Sequence, residues 1–192
     1  MGGATEEAGG TGYLGKSEAT VYKPVFTKII DGLYLGDKEG LTEAERRGYS
    51  VLAACKDGSP DCHRAVLGYT ELGAPKGKNY YFVQRGDHMA LNLIDSDNPD
   101  FIPDEVVDAG LTFLKEQRDA GKKIFVHCIA GHSRSVGIMM LFLRAIGELP
   151  EGFHRALHKF TVLYPEADMG KGMYQHVRRR WAEMKDKYVS IF

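Results

Sequence analysis

Two residues that can attack and bind a phosphate, Cys128 and Arg134, lie close together in the segment His127-Cys-Ile-Ala-Gly-His-Ser-Arg-Ser135. An apolar strand pattern precedes this segment, and an apolar helical pattern follows it. In a loop that leads from a strand into a helix, successive backbone amides can point inward and add to the positive end of the helix dipole. The spacing therefore predicts an anion-binding loop, which we define as residues 128–134.

Within this loop, Cys128 is predicted to be the nucleophile. Helix N-termini and nearby cations stabilise the thiolate, which is the reactive form of cysteine. Arg134 carries a planar fork of donors that matches two phosphate oxygens, and its contribution grows as charge spreads onto them in the transition state. Ser135 is placed to donate a hydrogen bond to the sulfur, which helps the sulfur to leave when the intermediate is hydrolysed.

The other residues of the segment are expected to hold the loop or to bind substrate. A side chain that precedes the loop points away from it, so we expect His127 to support the loop through hydrogen bonds rather than to react directly. Gly131 supplies the backbone freedom that a tight loop needs. The positions expected to bind the phosphate group are Ile129, Ala130, Gly131, His132, Ser133 and Arg134.

A lone cysteine at the end of a core strand is by default a buried structural thiol. That role does not require Gly131, Arg134 and Ser135 at these offsets, so we reject it here. The pattern H-C-x-x-G-x-x-R-S resembles the signature of the protein tyrosine phosphatase superfamily, and the short chain resembles its dual-specificity branch. The segment Lys28-Ile-Ile-Asp-Gly-Leu-Tyr-Leu-Gly36 resembles the family's first strand pair, and Val51-Leu-Ala-Ala54 resembles the strand after it.

The resemblance covers roughly residues 23–187 and implies an α/β fold in which a central mixed β-sheet is flanked by α-helices. It also implies that neither a metal nor an organic cofactor is used. One segment departs from the family pattern, because many members have an Arg-Pro and a Pro-Asn pair where this chain has Tyr164-Pro-Glu-Ala-Asp168. The sequence therefore does not assign the chain to one subfamily.

Expelling an alkoxide or phenoxide requires a carboxylic acid on a second loop, near the leaving oxygen. Asp95 and Asp97 lie in a turn cluster ahead of a predicted helix, where similar phosphatases place their acid. We favour Asp97, because Asp97-Asn-Pro-Asp-Phe101 resembles the family's acid followed by a polar and an apolar residue. Asp95 is the alternative, with strand-end capping as its other role, and Asp100 is expected to cap the helix.

The elements that must position these residues follow from hydrophobic periodicity. Strands are predicted at 26–35 (two short strands), 49–55, 89–94 and 124–126. Helices are predicted at 37–47, 103–120, 135–146, 151–160 and 173–187. The continuous apolar run at 124–126 is typical of a strand buried on both faces, and the 135–146 helix is apolar nearly all round. The segment 56–79 is predicted to be a loop.

The length of 192 residues, with 43% hydrophobic and 27% charged positions, indicates one globular domain. We predict a flexible tail at residues 1–22 and a catalytic domain at residues 23–192, because the tail lacks hydrophobic periodicity. The formal net charge of −1 provides no bulk attraction to nucleic acid or to an anionic membrane. No apolar run of about 18 residues and no signal-peptide pattern occur, so we expect a cytoplasmic location.

The three cysteines, Cys55, Cys62 and Cys128, are too few for a disulfide framework and fit a reducing compartment. No pair of them has the C-x-x-C spacing of a zinc site. One hypothesis is that Cys55, at the end of a strand beside the catalytic one, traps Cys128 as a reversible disulfide under oxidation. The alternative is that Cys55 is a buried inert thiol.

Together these patterns predict a phosphatase that works through a phosphocysteine intermediate. Ile129, Ala130 and His132 bring no permanent charge, whereas lipid phosphatases of this superfamily tend to carry lysines in the loop. A phosphoprotein is therefore the expected substrate. Phosphotyrosine is the main phosphorylated residue expected, and phosphoserine and phosphothreonine are expected in addition. The alternatives are a related phosphatase acting on RNA 5′ phosphates, phosphoinositides or phosphoglucans, and a phosphate-binding module without turnover. Neither nucleic acid nor a membrane is an expected partner, and the oligomeric state is not predicted.

Overall fold

A mixed six-stranded β-sheet forms the centre of the computed structural model, which describes residues 25–185 and 187–188. The strands are β1 (Phe26–Ile30), β2 (Leu33–Gly36), β3 (Ser50–Ala53), β4 (Phe82–Arg85), β5 (His88–Leu91) and β6 (Ile124–His127). Their order across the sheet is β1-β2-β6-β3-β5-β4. The inner four strands are parallel, and each edge strand is antiparallel to its neighbour. The predicted mixed sheet is confirmed, whereas the predicted tail at 1–22 lies outside the described residues.

Helices cover both faces of this sheet. They are α1 (Leu41–Arg46), α2 (His63–Leu67), α3 (Asp104–Asp119), α4 (Arg134–Ala145), α5 (Phe153–Leu163) and α6 (Lys171–Arg180). The large hydrophobic core lies between one face and α3 to α6, and two smaller clusters lie on the other face beside α1 and α2. Among the described residues, no helix is both long and apolar enough to cross a membrane.

Strand β6 is central because it pairs with β2 on one side and with β3 on the other. Its four residues are all buried. Alternation along the strand directs Ile124 and Val126 into the large core. Phe125 and His127 lie on the opposite face, where their rings stack with centroids 5.5 Å apart. A strand with two buried faces explains why the sequence here is continuously apolar up to the histidine.

Helix α4 follows β6 after one short loop and is buried along its whole length, all 12 residues included. Gly137 lets α6 approach it closely, since a Cβ atom at this position would overlap the side chain of Met173. The predicted central helix is therefore confirmed, and it fixes the direction in which the preceding loop faces.

Three local predictions were wrong. The segment 56–79 contains the short helix α2, and β4 was not predicted, because its four residues become a strand only by pairing with β5. The predicted strand at 89–94 ends at Leu91. Asp100 does not cap α3. Instead its amide donates to Asn98 Oδ1 at 3.0 Å, and α3 begins after Pro103 without a side-chain cap.

A buried histidine on α6 makes the stability of this fold depend on pH. The His176 side chain has no exposed surface, and its Nδ1 lies 3.8 Å from Asp104 Oδ1 and 3.4 Å from Arg179 Nη2. Burial lowers its pKa from the ordinary 6.5 to about 4. Between these values the unfolded chain binds a proton that the folded chain does not, so the free energy of unfolding falls as the pH drops from 6.5 toward 4.

We expect this site to reduce the free energy of unfolding by about 2 kcal/mol between pH 7 and pH 5. Urea unfolding at both values should show that His176→Leu loses less stability on acidification than the wild type. The same pH dependence in both proteins would contradict a neutral buried imidazole.

Candidate active site

The anion-binding loop joins β6 directly to α4, so that its last residue, Arg134, is the first residue of the helix. Cys128 is 2% exposed, and the hydroxyl of Ser135 donates to its sulfur at 3.2 Å. Gly131 has a φ of 75°, and a Cβ atom there would lie 2.9 Å from the backbone of Gly36. Only glycine satisfies both constraints without strain. The geometry brings together the sulfur, the hydroxyl and the helix N-terminus.

The guanidinium of Arg134 is buried in this site but is only partly bonded. Its Nη1 donates to the carbonyl of Leu93 at 3.3 Å. Its Nε has no hydrogen-bond partner and lies 3.5 Å from Asp95 Oδ2. A buried donor without an acceptor is costly, and an anion held in the loop would satisfy it. Arg134 is thus positioned to donate a hydrogen bond to an anion bound in the loop.

The two candidate carboxylates differ in where they lie on the acid loop, which we define as residues 95–101. Asp95 reaches Arg134, and its side chain is 57% exposed. Asp97 is exposed as well, and no hydrogen bond or ion pair of its carboxylate is found within the described residues. Its backbone instead packs against Gly172, where an added Cβ atom would lie 3.1 Å from the carbonyl carbon of Asp97. Proximity to Arg134 therefore favours Asp95.

His127 is fully buried and points to the sheet face opposite the large core. Its Nε2 lies 2.7 Å from Asp61 Oδ2, and its Nδ1 lies 3.2 Å from the carbonyl oxygen of Cys128. Both ring nitrogens therefore face oxygen atoms, and the two contacts fix the orientation of the imidazole. These contacts agree with the expected supporting role of His127.

Asp61 is a functional residue that the sequence analysis missed. Burial raises the pKa of this carboxyl, but hydrogen bonds from His127 and Ser59 outweigh burial, so the pKa is lowered. It therefore stays ionised beside the imidazole. Asp61 lies in the segment whose conformation was not predicted, and no motif links it to a histidine 66 positions away.

Asp61 belongs to a loop closed by a disulfide between Cys55 and Cys62, and we call residues 55–62 the disulfide loop. Cys128 is the free cysteine of the described residues. The expectation that the cysteines stay reduced was therefore wrong, and Cys55 is neither an inert thiol nor available to trap Cys128. Two cysteines seven positions apart carried no sequence signal, because the turn that brings them together is irregular.

The segment that departs from the family pattern contacts the anion-binding loop at three consecutive residues. Its contacts are Tyr164 Oη to Gly131 O at 3.1 Å, His132 Nδ1 to Glu166 O at 2.7 Å, Asp168 N to His132 O at 2.9 Å and Gly170 N to Ser133 Oγ at 3.0 Å. We call residues 164–170 the bracing segment. These contacts hold the loop without a carboxylate, lysine or arginine side chain, and no motif in the sequence indicates them.

The remaining predicted binding positions line the same loop. The side chain of Ile129 is half-buried against the disulfide loop, and Ala130 and His132 are exposed. Among the described residues, no group of three or more His, Cys, Asp or Glu side chains is arranged to hold a metal ion.

Named proteins are similar to this chain, although no protein-family model matches it. The human Dual specificity protein phosphatase 12 is 41% identical over 66 residues, which make up 34% of this chain and 19% of the human protein. The mouse protein of the same name is 26% identical over 146 residues, or 76% of this chain and 38% of that protein. The chain thus spans well under half the length of these curated relatives.

The fold has a counterpart in the crystal structure of human DUSP28, with a TM-score of 0.59. That match covers 84% of this chain and 95% of the other, at 14% sequence identity, so it concerns the fold alone. The relatives agree with the family that the nine-residue signature resembles. The chain is therefore similar in sequence to proteins named dual specificity protein phosphatase, and it shares the fold of human DUSP28.

Proposed function

We propose that this chain is a cysteine-dependent phosphatase that hydrolyses phosphoproteins through a phosphocysteine intermediate. The observation that carries the proposal is the contact of 3.2 Å between Ser135 Oγ and the sulfur of Cys128, at the start of α4 and beside Arg134. A nucleophile, a donor to that nucleophile and a partly unbonded guanidinium are the groups that phosphoryl transfer through cysteine needs.

In the first step, the Cys128 thiolate attacks phosphorus, so the S–P bond forms as the bond from phosphorus to the leaving oxygen breaks. A carboxylic acid gives its proton to that oxygen. In the second step, water attacks phosphorus and its proton passes to the same carboxylate. The S–P bond then breaks, and the hydrogen bond from Ser135 stabilises the departing thiolate. Arg134 and the loop amides hold the phosphate oxygens throughout.

For the acid we propose Asp95, with Asp97 as the alternative that sequence resemblance favours. The support for Asp95 is its position 3.5 Å from Arg134 Nε together with its exposed carboxyl. A phosphate that binds Arg134 would compete for the guanidinium and repel the carboxylate. The free rotation of an exposed side chain would then let Asp95 turn toward the leaving oxygen.

Phosphotyrosine, with phosphoserine and phosphothreonine besides, is the substrate class that the loop supports. Ile129 and Ala130 are neutral, and His132 is held by the bracing segment, so the loop carries no permanent charge beyond Arg134 to attract a second phosphate. This composition disfavours phosphoinositides. A binding module without turnover is the second candidate, and the presence of Cys128, Arg134 and Ser135 argues against it.

The first prediction concerns the reaction class. The wild type should hydrolyse para-nitrophenyl phosphate and phosphotyrosine in the presence of EDTA, and Cys128→Ser should lower the rate by at least about 10³-fold, because a hydroxyl is a poor nucleophile here. Phosphothreonine and phosphoinositide substrates assayed in parallel test the substrate class. A wild type that binds phosphate but turns over no substrate would be a binding module.

The second prediction distinguishes the two carboxylates. Asp95→Asn should slow hydrolysis of an alkyl phosphate about 10²-fold and that of para-nitrophenyl phosphate much less, since a good leaving group needs little protonation. Asp97→Asn, the matched control, should stay within about threefold of the wild type on both substrates. The opposite ranking of the two variants would restore Asp97 as the acid.

The third prediction concerns the bracing segment. Tyr164→Phe removes one neutral hydrogen bond to the carbonyl of Gly131, so kcat/KM and the affinity for orthovanadate should each fall about five- to tenfold. Tyr174→Phe on α6, whose ring packs against Phe153, is the matched control and should change neither value. Thermal unfolding of both variants separates positioning from stability. Equal orthovanadate affinity in Tyr164→Phe and the wild type would exclude the positioning role.

A further inference from the structure

The disulfide loop begins beside the strand that carries the catalytic cysteine. It follows β3, which pairs with β6, and the amide of Ala54 donates to the carbonyl of His127 at 2.7 Å. The sulfur-bearing residues Cys55 and Cys62 are fully buried and pack in one cluster with Ile129 of the anion-binding loop. A change in this disulfide therefore alters the packing next to the active site.

Two contacts connect the disulfide loop to the residues on either side of Cys128, His127 and Ile129. Asp61, the neighbour of Cys62, holds His127 through the contact of 2.7 Å described above. The backbone of Gly58 lies against Ile129, so closely that a Cβ atom there would be 2.7 Å from its Cδ1. The position of Cys62 thus determines where Asp61 lies, and Asp61 in turn orients the imidazole that precedes Cys128.

We propose that Cys55 and Cys62 form a redox-active site, separate from Cys128, whose disulfide state sets the reactivity of the catalytic thiolate. Its reactant is a small thiol of the glutathione class, which reaches the buried sulfurs when the exposed residues 57, 58 and 60 of the disulfide loop move aside. A thiolate attacks one sulfur, the S–S bond breaks and a mixed disulfide forms, and a second thiol then releases the other cysteine. The net change converts two small thiols to their disulfide and gives two electrons and two protons to Cys55 and Cys62.

Reduction has to move the disulfide loop, because two thiols need more room than one disulfide and both sulfur atoms are fully buried. Helix α2 stays in place, since His63 N still donates to Cys55 O and Arg64 N to Lys56 O, at 3.2 and 2.7 Å. The movement is therefore concentrated at Asp61 and its neighbours. Loss of the Asp61 contact frees the imidazole of His127, whose Nδ1 lies 3.2 Å from the carbonyl oxygen of Cys128, so the backbone that carries the catalytic sulfur loses a fixed support.

The bond itself can be mapped with trypsin, because the three cysteines fall in different peptides: 48–56, 57–64 and 124–134. Protein treated with oxidised glutathione, alkylated and digested should give peptide 48–56 linked to 57–64, with 124–134 carrying the alkyl group. A link between 48–56 and 124–134, or alkylation of all three peptides, would overturn the assignment.

The functional consequence is measured as the rate at which iodoacetamide alkylates Cys128 at different pH values, together with kcat/KM on para-nitrophenyl phosphate. Thiol counts in denaturant identify the oxidised and reduced forms. Reduction, or the double substitution Cys55→Ala with Cys62→Ala, should lower both rates about three- to tenfold near pH 6.

Asp61→Asn should show the low rates in both redox states, so that its response to reduction disappears. Asp57→Asn, in the same loop but paired with Arg64 at 3.6 Å, is the matched control and should keep the response of the wild type. A full redox response in Asp61→Asn, or equal rates in oxidised and reduced wild type, would overturn the inference.

The inference rests on the proposed function only through Cys128, and the two can fail separately. Redox-dependent alkylation without turnover on any substrate would remove the phosphatase proposal and leave the redox site. Turnover that is the same in both redox states would remove the redox site and leave the phosphatase proposal.

Discussion

The junction between β6 and α4 constrains the rest of this molecule. A parallel strand buried on both faces runs directly into a helix that is buried along its whole length, and part of the loop between them is buried as well: Cys128, Gly131, Ser133 and Arg134. Each buried polar group of that loop therefore needs a protein partner or a ligand. The surrounding segments provide these partners from three sides: the acid loop, the disulfide loop and the bracing segment.

The charges around the sulfur are arranged on two opposite faces. On the loop side, Arg134 shares its donors between the Leu93 carbonyl and the space where an anion would bind, with Asp95 close by. On the other side of the sheet, Asp61 contacts His127 at 2.7 Å. Two carboxylates therefore lie near the same cysteine, Asp95 beside Arg134 and Asp61 beside the imidazole of His127.

The bracing segment supports the anion-binding loop with neutral groups. It contributes a tyrosine hydroxyl, two backbone amides and the carbonyl of Glu166, which faces the imidazole of His132. Neutral hydrogen bonds to backbone oxygens depend on distance and direction rather than on ionic strength. Tyr164 is also fully buried, which ties the loop geometry to the packing of α5 and the large core.

Local patterns in the sequence predicted that one loop brings Cys128, Arg134 and Ser135 together, and the family resemblance predicted the mixed sheet. The spacing of these residues is set within one loop, and strong apolar periodicity marks β6, α3 and α4. Asp61, the disulfide and the contacts of Tyr164 were decided only by the tertiary structure. These groups lie far apart along the chain, or in irregular segments without periodicity. Asp61 and His127 meet because the parallel strands β3 and β6 end at the same edge of the sheet, whereas Tyr164 is placed there by the packing of α5. The sequence also left Asp95 and Asp97 as alternatives, since nearby turn residues differ little in sequence context and only the folded loop sets the direction in which each one points.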